Sequence, residues 1–177
     1  MQIYLDLIKK VLEEGEQRSN RTGTDTISYF GAHYKIDLAK EFPLLTTKKV
    51  FFSSVLHELL WFLSGVTHIK DLKEKTKIWN AWTNEEKNWE LGQTYGYQWV
   101  KWEQYVKDPN TGEMKCNHIN QIQKVIDELK TNPFSRRIVV SAWNPADFYR
   151  QDNDLKKTVM PSACHTMFMF HVTNDKK

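Results

Sequence analysis

Residues 135–144 read SRRIVVSAWN, and residues 161–165 read PSACH. Ahead of the first stretch, apolar residues recur with helical spacing from Ile119 to Leu129, and Asn132-Pro133 ends that pattern. The apolar run at 138–140 then predicts a buried strand, and residues 164–172 predict another. Helices and strands of this kind in one chain indicate the α+β class.

Further from these stretches, two more helices and one long strand are predicted. Apolar residues at helical spacing within residues 4–12 predict an amphipathic helix. Residues 55–63 are apolar nearly all round, which predicts a buried helix closed by Gly65. Residues 26–38 alternate between apolar and polar side chains around Gly31, which predicts one long bent strand. We therefore expect a mixed or antiparallel bent sheet packed by helices.

Length, composition and charge predict a single globular domain over residues 1–177. Within it, residues 67–115 are polar, rich in tryptophan and interrupted by the turn sequence DPNTG at 108–112, so we expect a small lobe there. A net charge of +3 is too small to suggest a DNA-coating protein, and no RNA-binding motif supports RNA as a partner. The sequence shows neither a leader pattern nor a membrane-length apolar run, which predicts a cytoplasmic protein.

The cysteine and histidine patterns predict a reducing compartment and no metal. Cys116 and Cys164 are far apart in sequence and form neither a disulfide framework nor a CxxC pair. His57-Glu58 begins like the HExxH zinc motif, but Trp61 stands where the second histidine belongs. We therefore expect no metal site.

Cys164 has the neighbours that a nucleophilic cysteine needs. His165 is adjacent to it, and Arg136 and Arg137 precede it in the chain. Only a thiolate attacks, and cationic neighbours favour that form, while arginines also bind phosphate well. The residues alone leave a second interpretation open, in which Cys164 is a small apolar core residue and the arginines are surface charges.

Short sequence blocks along the chain carry a resemblance to a known family. The blocks are RTGT at 21–24, FPLLTTKK at 42–49, HELLWFL at 57–63, IWNAW at 78–82, YGYQW at 95–99 and SRRIVVSAWN at 135–144, ahead of Cys164-His165. Together they resemble thymidylate synthase, in that family's order and over almost the whole chain. The resemblance implies a methyltransferase of nucleotide biosynthesis that makes dTMP from dUMP, with 5,10-methylenetetrahydrofolate as one-carbon and hydride donor and no metal.

The resemblance also assigns catalytic roles. In the family a cysteine adds to C6 of the pyrimidine, and Cys164 matches it. Glu58 matches a glutamate that organises water for proton movement, and Tyr95 matches the tyrosine linked to loss of the C5 proton. His165 matches a residue of the network beside the nucleophile. A structural salt bridge for Glu58 and a packing role for His165 are the alternatives, since a carboxylate buried without a partner is costly.

Three arginines match the family's phosphate-binding residues, namely Arg21, Arg136 and Arg137. Because consecutive residues of a strand point to opposite faces, Arg136 and Arg137 must lie before the regular strand to reach one phosphate. In the family this pair reaches into the partner subunit's site, which implies a homodimer. A solvated basic turn is the alternative.

Four residues match positions that contact the folate. Ile78, Trp79 and Trp82 match residues that line the folate rings, and Lys48 matches a residue near the glutamate tail. Tryptophans with this spacing also suit a packed core, so packing is the alternative for Trp79 and Trp82.

The sequence departs from the family pattern at three places and at its end. Asp25 stands for a glycine, Ser162-Ala163 for a proline-rich approach to the cysteine, and Met169 for a glutamine. The family continues after this last strand with a Gln-Arg-Ser segment, an asparagine that reads the base and a His-x-Tyr pair that holds the sugar. We therefore expect the fold to be incomplete at its C-terminal end and the 177-residue chain alone to show negligible turnover.

Two other functions remain open. One is a pyrimidine nucleotide hydroxymethylase of the same superfamily, which uses the same cysteine and folate. The other is a non-catalytic fragment, or an RNA-binding regulator built on the same fold.

Overall fold

The computed structural model describes residues 2–20, 23–148 and 163–175. Two units of unequal size make up the chain, Met1–Phe51 and Phe52–Lys177. The predicted single domain and the predicted lobe at residues 67–115 stay predictions. None of the described helices combines the length and apolarity that a transmembrane segment needs.

The first unit begins with the predicted amphipathic helix, α1, over Gln2–Glu14. It ends before Gly15, whose N–H donates to the Val11 carbonyl at 3.0 Å. Two short antiparallel strands follow, β1 (Glu16–Arg18) and β2 (Thr26–Ser28).

The single long strand predicted at residues 26–38 is wrong. Its regular part is β2, which ends at Ser28, and a turn at Gly31 with φ +83° redirects the chain. Tyr34 and Leu38, two of the alternating apolar residues, are 57% and 71% exposed. Alternation specifies a strand only where one face is buried, and here no such face forms.

The second unit contains the remaining elements. Its helices are α2 (Phe52–Ser64), a 3₁₀ turn (Leu72–Glu74), α3 (Tyr95–Lys101), α4 (Gln121–Thr131) and α5 (Pro145–Phe148). Its strands are β3 (Trp102–Lys107), β4 (Met114–Ile119), β5 (Val139–Ser141) and β6 (Met167–Met169). In the described residues β1–β2, β3–β4 and β5–β6 form three separate two-stranded antiparallel sheets. The α+β class is confirmed, but a single bent sheet is not.

The predicted turn at residues 108–112 joins β3 to β4 in a hairpin. Asp108 Oδ1 accepts the N–H groups of Asn110 and Thr111 at 2.8 and 3.3 Å, an arrangement typical of a turn that starts with aspartate. Helix α4 is also confirmed, and its start is capped by Asn120 Oδ1, which accepts the Gln123 N–H at 2.9 Å.

The strand predicted at 138–140 is confirmed, and the strand predicted at 164–172 is shorter than expected. Ile138 and Val140 are buried at the centre of the second unit, and Val140 pairs with Phe168 across β5–β6. The regular part of the last strand is limited to β6, which pairs along the three residues of β5. Backbone hydrogen bonds from Ala142 to Thr166 and from Phe170 to Ile138 continue the contact beyond both ends of the regular pairing.

The core of the second unit is mainly aromatic and lies on one side of α2. Trp61 and Phe62 are the buried residues among the described side chains of this helix. The helix was predicted to be buried all round, and that is wrong, because Val55, Leu59 and Leu63 are exposed. Leu59 and Leu63 border an apolar groove of about 410 Å³ whose far side is formed by α4 and β6.

Helices α2 and α3 approach each other closely at a glycine. A Cβ on Gly96 would lie 2.4 Å from the backbone oxygen of Phe62. Gly65 closes α2 as predicted, with φ +65° and an N–H that donates to the Phe62 carbonyl at 3.1 Å. This close approach brings the first residue of α3, Tyr95, against Phe62, with ring centroids 5.0 Å apart.

Candidate active site

Cys164 and Tyr95 are in direct contact, although they are 69 positions apart in the sequence. The backbone N–H of Cys164 donates to the Tyr95 hydroxyl oxygen at 2.7 Å. Tyr95 is buried, whereas Cys164 is exposed just before β6. The contact therefore fixes the backbone of the exposed cysteine to a buried hydroxyl.

The imidazole of His165 stacks on the Tyr95 ring. The ring centroids are 3.9 Å apart with an angle of 18° between the planes, and the Phe62 and Trp99 rings lie at 5.9 and 5.8 Å. The residue as a whole is exposed, but its ring packs on this aromatic wall. Burial lowers the pKa of His165 below its ordinary value, and the nearby Glu58 carboxylate partly opposes that effect. The imidazole is therefore mainly neutral at neutral pH.

Burial also affects the tyrosine. It raises the pKa of Tyr95, the amide N–H of Cys164 opposes this rise, and the negative charge of a Cys164 thiolate would add to it. The hydroxyl consequently keeps its proton at neutral pH. Cys164, Tyr95 and His165 thus form one cluster that presents a thiol, a neutral phenol and a neutral imidazole.

Glu58 is half-buried on α2 and has a partner. Its Oε1 accepts the indole N–H of Trp79 at 2.8 Å, whereas the sequence suggested a carboxylate at risk of burial without one. The Glu58 charge also acts on His165. The structure therefore brings Glu58 into the same cluster as Tyr95 and His165.

The predicted folate residues occupy different environments. Trp79 is 6% exposed, and its ring centroid lies 5.6 Å from that of Trp61 and 6.4 Å from that of Tyr95. Ile78 and Trp82 are exposed at 48% and 37%. Trp79 thus packs in the core and holds Glu58, while Ile78 and Trp82 present apolar surface that a flat ring system could cover. Lys48 is exposed in the first unit.

The arginine pair lies in the turn that precedes β5, as predicted. Arg136 and Arg137 are both exposed, and the Arg137 N–H donates to Ser135 Oγ at 3.2 Å. The regular strand starts two residues later, at Val139. Arg21 lies outside the described residues, so the phosphate role of the three arginines stays a prediction.

A buried amide network supports the cluster, and the sequence interpretation missed it. Gln121 Nε2 donates to the carbonyls of Gln98 and Ser141 at 2.7 and 2.9 Å, and its Oε1 accepts the Ser141 N–H at 2.9 Å. Gln98 is 2% exposed and donates to Asp147 Oδ2 at 2.8 Å. These bonds tie α3, α4, β5 and α5 together. The available signal was a glutamine inside the apolar block YGYQW, where an unpaired polar group would be costly.

Within residues 2–20, 23–148 and 163–175, no group of three His, Cys, Asp or Glu side chains is arranged to hold a metal ion. Both cysteines are thiols and both are exposed.

A sequence model of one family, described as thymidylate synthase, matches residues 2–177. The chain belongs to the thymidylate synthase family. Membership of this family supports a role in dUMP methylation or a related modification of a pyrimidine. Enzymes of the family use methylenetetrahydrofolate as co-substrate.

Two departures from the thymidylate synthase pattern lie in described parts of the chain. Asp25 Oδ2 accepts a hydrogen bond from Gln17 Nε2 at 3.0 Å, so the carboxylate has a role in the first unit. Met169 pairs with Val139 in the β5–β6 sheet and is exposed, so its side chain replaces a glutamine without filling the core. Ser162 lies outside the described residues, and Ala163 packs against the core.

Proposed function

We propose that this protein makes dTMP from dUMP, with Cys164 Sγ adding to C6 of the uracil ring. The observation that carries the proposal is the contact between Cys164 and Tyr95, with His165 stacked on the same tyrosine. Cys164 is exposed, which gives a substrate access to it, and His165 follows it in the sequence and supplies a neutral imidazole as the proposed proton acceptor. Addition at C6 makes C5 nucleophilic.

Methylenetetrahydrofolate supplies the one-carbon unit and then the hydride, and leaves as dihydrofolate. The exposed apolar surface of Ile78 and Trp82 fits a flat ring system of this kind. Trp79 contributes indirectly, because its indole N–H holds the carboxylate of Glu58. The folate role proposed for Lys48 rests on the family resemblance.

Proton movement is assigned to Glu58, Tyr95 and His165. Because burial raises the pKa of Tyr95, its hydroxyl orients the acceptor of the C5 proton instead of acting as a phenolate base. The neutral imidazole of His165 is able to accept the thiol proton as Cys164 adds to the ring. Glu58, held by Trp79, organises the water through which protons reach the site.

The positive charges of the arginine pair support its assignment as the binding site for the dUMP phosphate. Arg136 and Arg137 are exposed and adjacent in a turn ahead of the regular strand, and guanidinium groups bind phosphate well. We further propose that they act in the site of a second copy of the chain, with Arg21 completing the phosphate contacts.

The proposal is tested by release of tritium from C5-labelled dUMP in the presence of methylenetetrahydrofolate. The assay compares Cys164→Ala with Cys116→Ala, which removes the other exposed thiol. Both are tested in the 177-residue chain and in a chain extended by the family's Gln-Arg-Ser, base-reading and sugar-binding segments. We expect release in the extended chain, loss of it in Cys164→Ala and retention in Cys116→Ala.

Two results would overturn the proposal. One is full release by Cys164→Ala, and the other is absence of release from both chain lengths. Labelled dCMP, assayed in parallel, separates the related hydroxymethylase reaction, because a hydroxymethylated product from dCMP and none from dUMP would favour that enzyme.

A further inference from the structure

Glu103, near the start of β3, accepts three side-chain hydrogen bonds. Its Oε1 accepts Gln93 Nε2 at 2.7 Å and the Tyr97 hydroxyl at 3.0 Å, and its Oε2 accepts the Tyr105 hydroxyl at 2.9 Å. The Tyr105 hydroxyl, with support from the other two donors, lowers the pKa of Glu103 below its ordinary value. A carboxylate with three donors is a strong and directional anchor.

Two of the three donors flank Tyr95 in the sequence. Gln93 lies two residues before Tyr95, and Tyr97 lies two residues after it. Gln93 precedes the N-cap residue Thr94 and Tyr97 lies in the first turn of α3, so Glu103 bonds to residues before and after the helix start. The carboxylate therefore acts on the backbone that carries Tyr95 without contacting the ring.

Helix α3 needs such an anchor at its start. It has seven residues, which is too short to be stable by itself. The N-cap residue Thr94 makes no side-chain capping bond, and its buried hydroxyl has no hydrogen-bond partner among the described residues. An N-cap side chain normally fixes the first turn of a helix. The bonds from Gln93 and Tyr97 to Glu103 act at this turn, together with the packing of Gly96 against Phe62.

The position of Tyr95 depends on that first turn. Its ring is packed by Phe62 and stacked by His165, but such contacts allow a ring to slide within its plane. The 2.7 Å bond from the Cys164 N–H to the hydroxyl does not tolerate such a shift, because an increase of about 1 Å breaks a hydrogen bond.

We propose that Glu103 is a positioning residue for the site, which holds the start of α3 so that the Tyr95 hydroxyl meets the Cys164 backbone. The expected effect of Glu103 on catalysis rests on the proposed function, whereas its expected effect on the position of the Cys164 backbone does not. The two consequences are therefore measured separately.

The first measurement is the exchange rate of the Cys164 backbone amide hydrogen, followed by NMR or by mass spectrometry of short peptides. Tyr95→Phe, which removes the acceptor, defines the unprotected rate. Tyr97→Phe removes the bond between α3 and Glu103, and Tyr105→Phe is its matched control, because Tyr105 bonds to the same carboxylate from within β3. We expect about tenfold faster exchange in Tyr97→Phe, as for loss of one net hydrogen bond, and little change in Tyr105→Phe.

Variants of the carboxylate complete the test. Glu103→Ala should exchange the Cys164 amide at nearly the rate of Tyr95→Phe, and Glu103→Gln, which keeps one acceptor oxygen, should recover part of the protection. Glu113→Gln, at the other end of the hairpin, should match the parent chain. If Glu103→Ala fails to fold, the comparison of Tyr97→Phe with Tyr105→Phe still tests the proposal. Unchanged exchange in Tyr97→Phe, or equal acceleration in both variants, would overturn the proposal.

The second measurement is tritium release from C5-labelled dUMP. Loss of positioning should lower kcat about tenfold in Tyr97→Phe and leave KM for dUMP nearly unchanged, because a residue that acts only through the backbone of Tyr95 and Cys164 affects the reaction step more than binding. If neither the parent chain nor the extended chain releases tritium, the proposed function fails, but the amide exchange still tests the role of Glu103. If exchange accelerates and kcat is unchanged, Glu103 positions the backbone without a catalytic effect, and the catalytic part is overturned.

Discussion

Replacing Gly96 by alanine tests the close packing of α2 against α3. The added Cβ would lie 2.4, 2.9 and 3.0 Å from the backbone O, Cα and C atoms of Phe62. All three are backbone atoms of a helix, so rotation of a side chain does not relieve the overlap. Overpacking of this kind typically costs about 1–3 kcal/mol, occasionally more. Alanine in place of glycine within a helix stabilises the helix by about 1 kcal/mol, which partly offsets this cost.

Because the three contacts are to rigid backbone, we place the overpacking cost of Gly96→Ala at the upper end of that range. The expected net loss is about 2 kcal/mol of unfolding free energy, which corresponds to a fall in Tm of about 4–8 °C for a chain of this size. Thermal unfolding followed by circular dichroism measures it. Lys101→Ala, at the exposed end of the same helix, is the control and should change stability by less than about 0.5 kcal/mol. Stability equal to or above that of the parent chain would refute the reasoning, since helix propensity alone predicts that result.

Three further outcomes are expected. Mixing an Arg137→Ala chain with a Cys164→Ala chain should restore part of the tritium release, because a hybrid dimer with shared sites has one intact site; no recovery in verified heterodimers would count against shared sites. Trp79→Phe should lower the free energy of unfolding in a urea melt by about 2 kcal/mol, because it removes buried volume and an indole hydrogen bond. Trp82→Phe should instead raise KM for the folate and leave stability nearly unchanged. The reverse pattern would contradict the assigned environments. Glu103→Gln should be less stable than the parent chain above pH 4.5, and this difference in stability should disappear as the pH falls further. The reason is that a carboxylate with a lowered pKa stabilises the folded state until it is protonated. A stability difference that does not depend on pH would contradict the role of Glu103 as an anchor.

The helices were the more predictable part of the fold. Apolar spacing is a local property, and α1 and α4 form where the 3.6-residue pattern occurs, while α2 forms where the chain is apolar nearly all round. Of the β3–β4 hairpin only the turn was predicted, because most residues of both strands are exposed and show no apolar alternation. Residues 26–38 failed for the opposite reason, since they alternate without a sheet face to bury.

The candidate site was predictable as a set of residues but not as an arrangement. The blocks around Cys164, Tyr95 and Glu58 identified the family, and the family model confirms it. The bond from the Cys164 N–H to Tyr95 joins positions 69 residues apart, and no local pattern specifies it. The anchor at Glu103 was missed although its donors are within ten positions of it, because no apolar pattern or known motif marks a helix-to-strand junction of this kind.

The central claim is that Cys164 Sγ bonds to C6 of the pyrimidine. It is tested most directly by incubating the protein, at both chain lengths, with methylenetetrahydrofolate and the 5-fluoro analogue of dUMP, which has no C5 proton to lose and so stalls after the addition steps. Digestion and mass spectrometry then locate the added nucleotide. We predict that it is found on the peptide that contains Cys164 and not on the peptide that contains Cys116. Nucleotide on the Cys116 peptide, or an unmodified Cys164 in protein that binds the analogue, would contradict the claim.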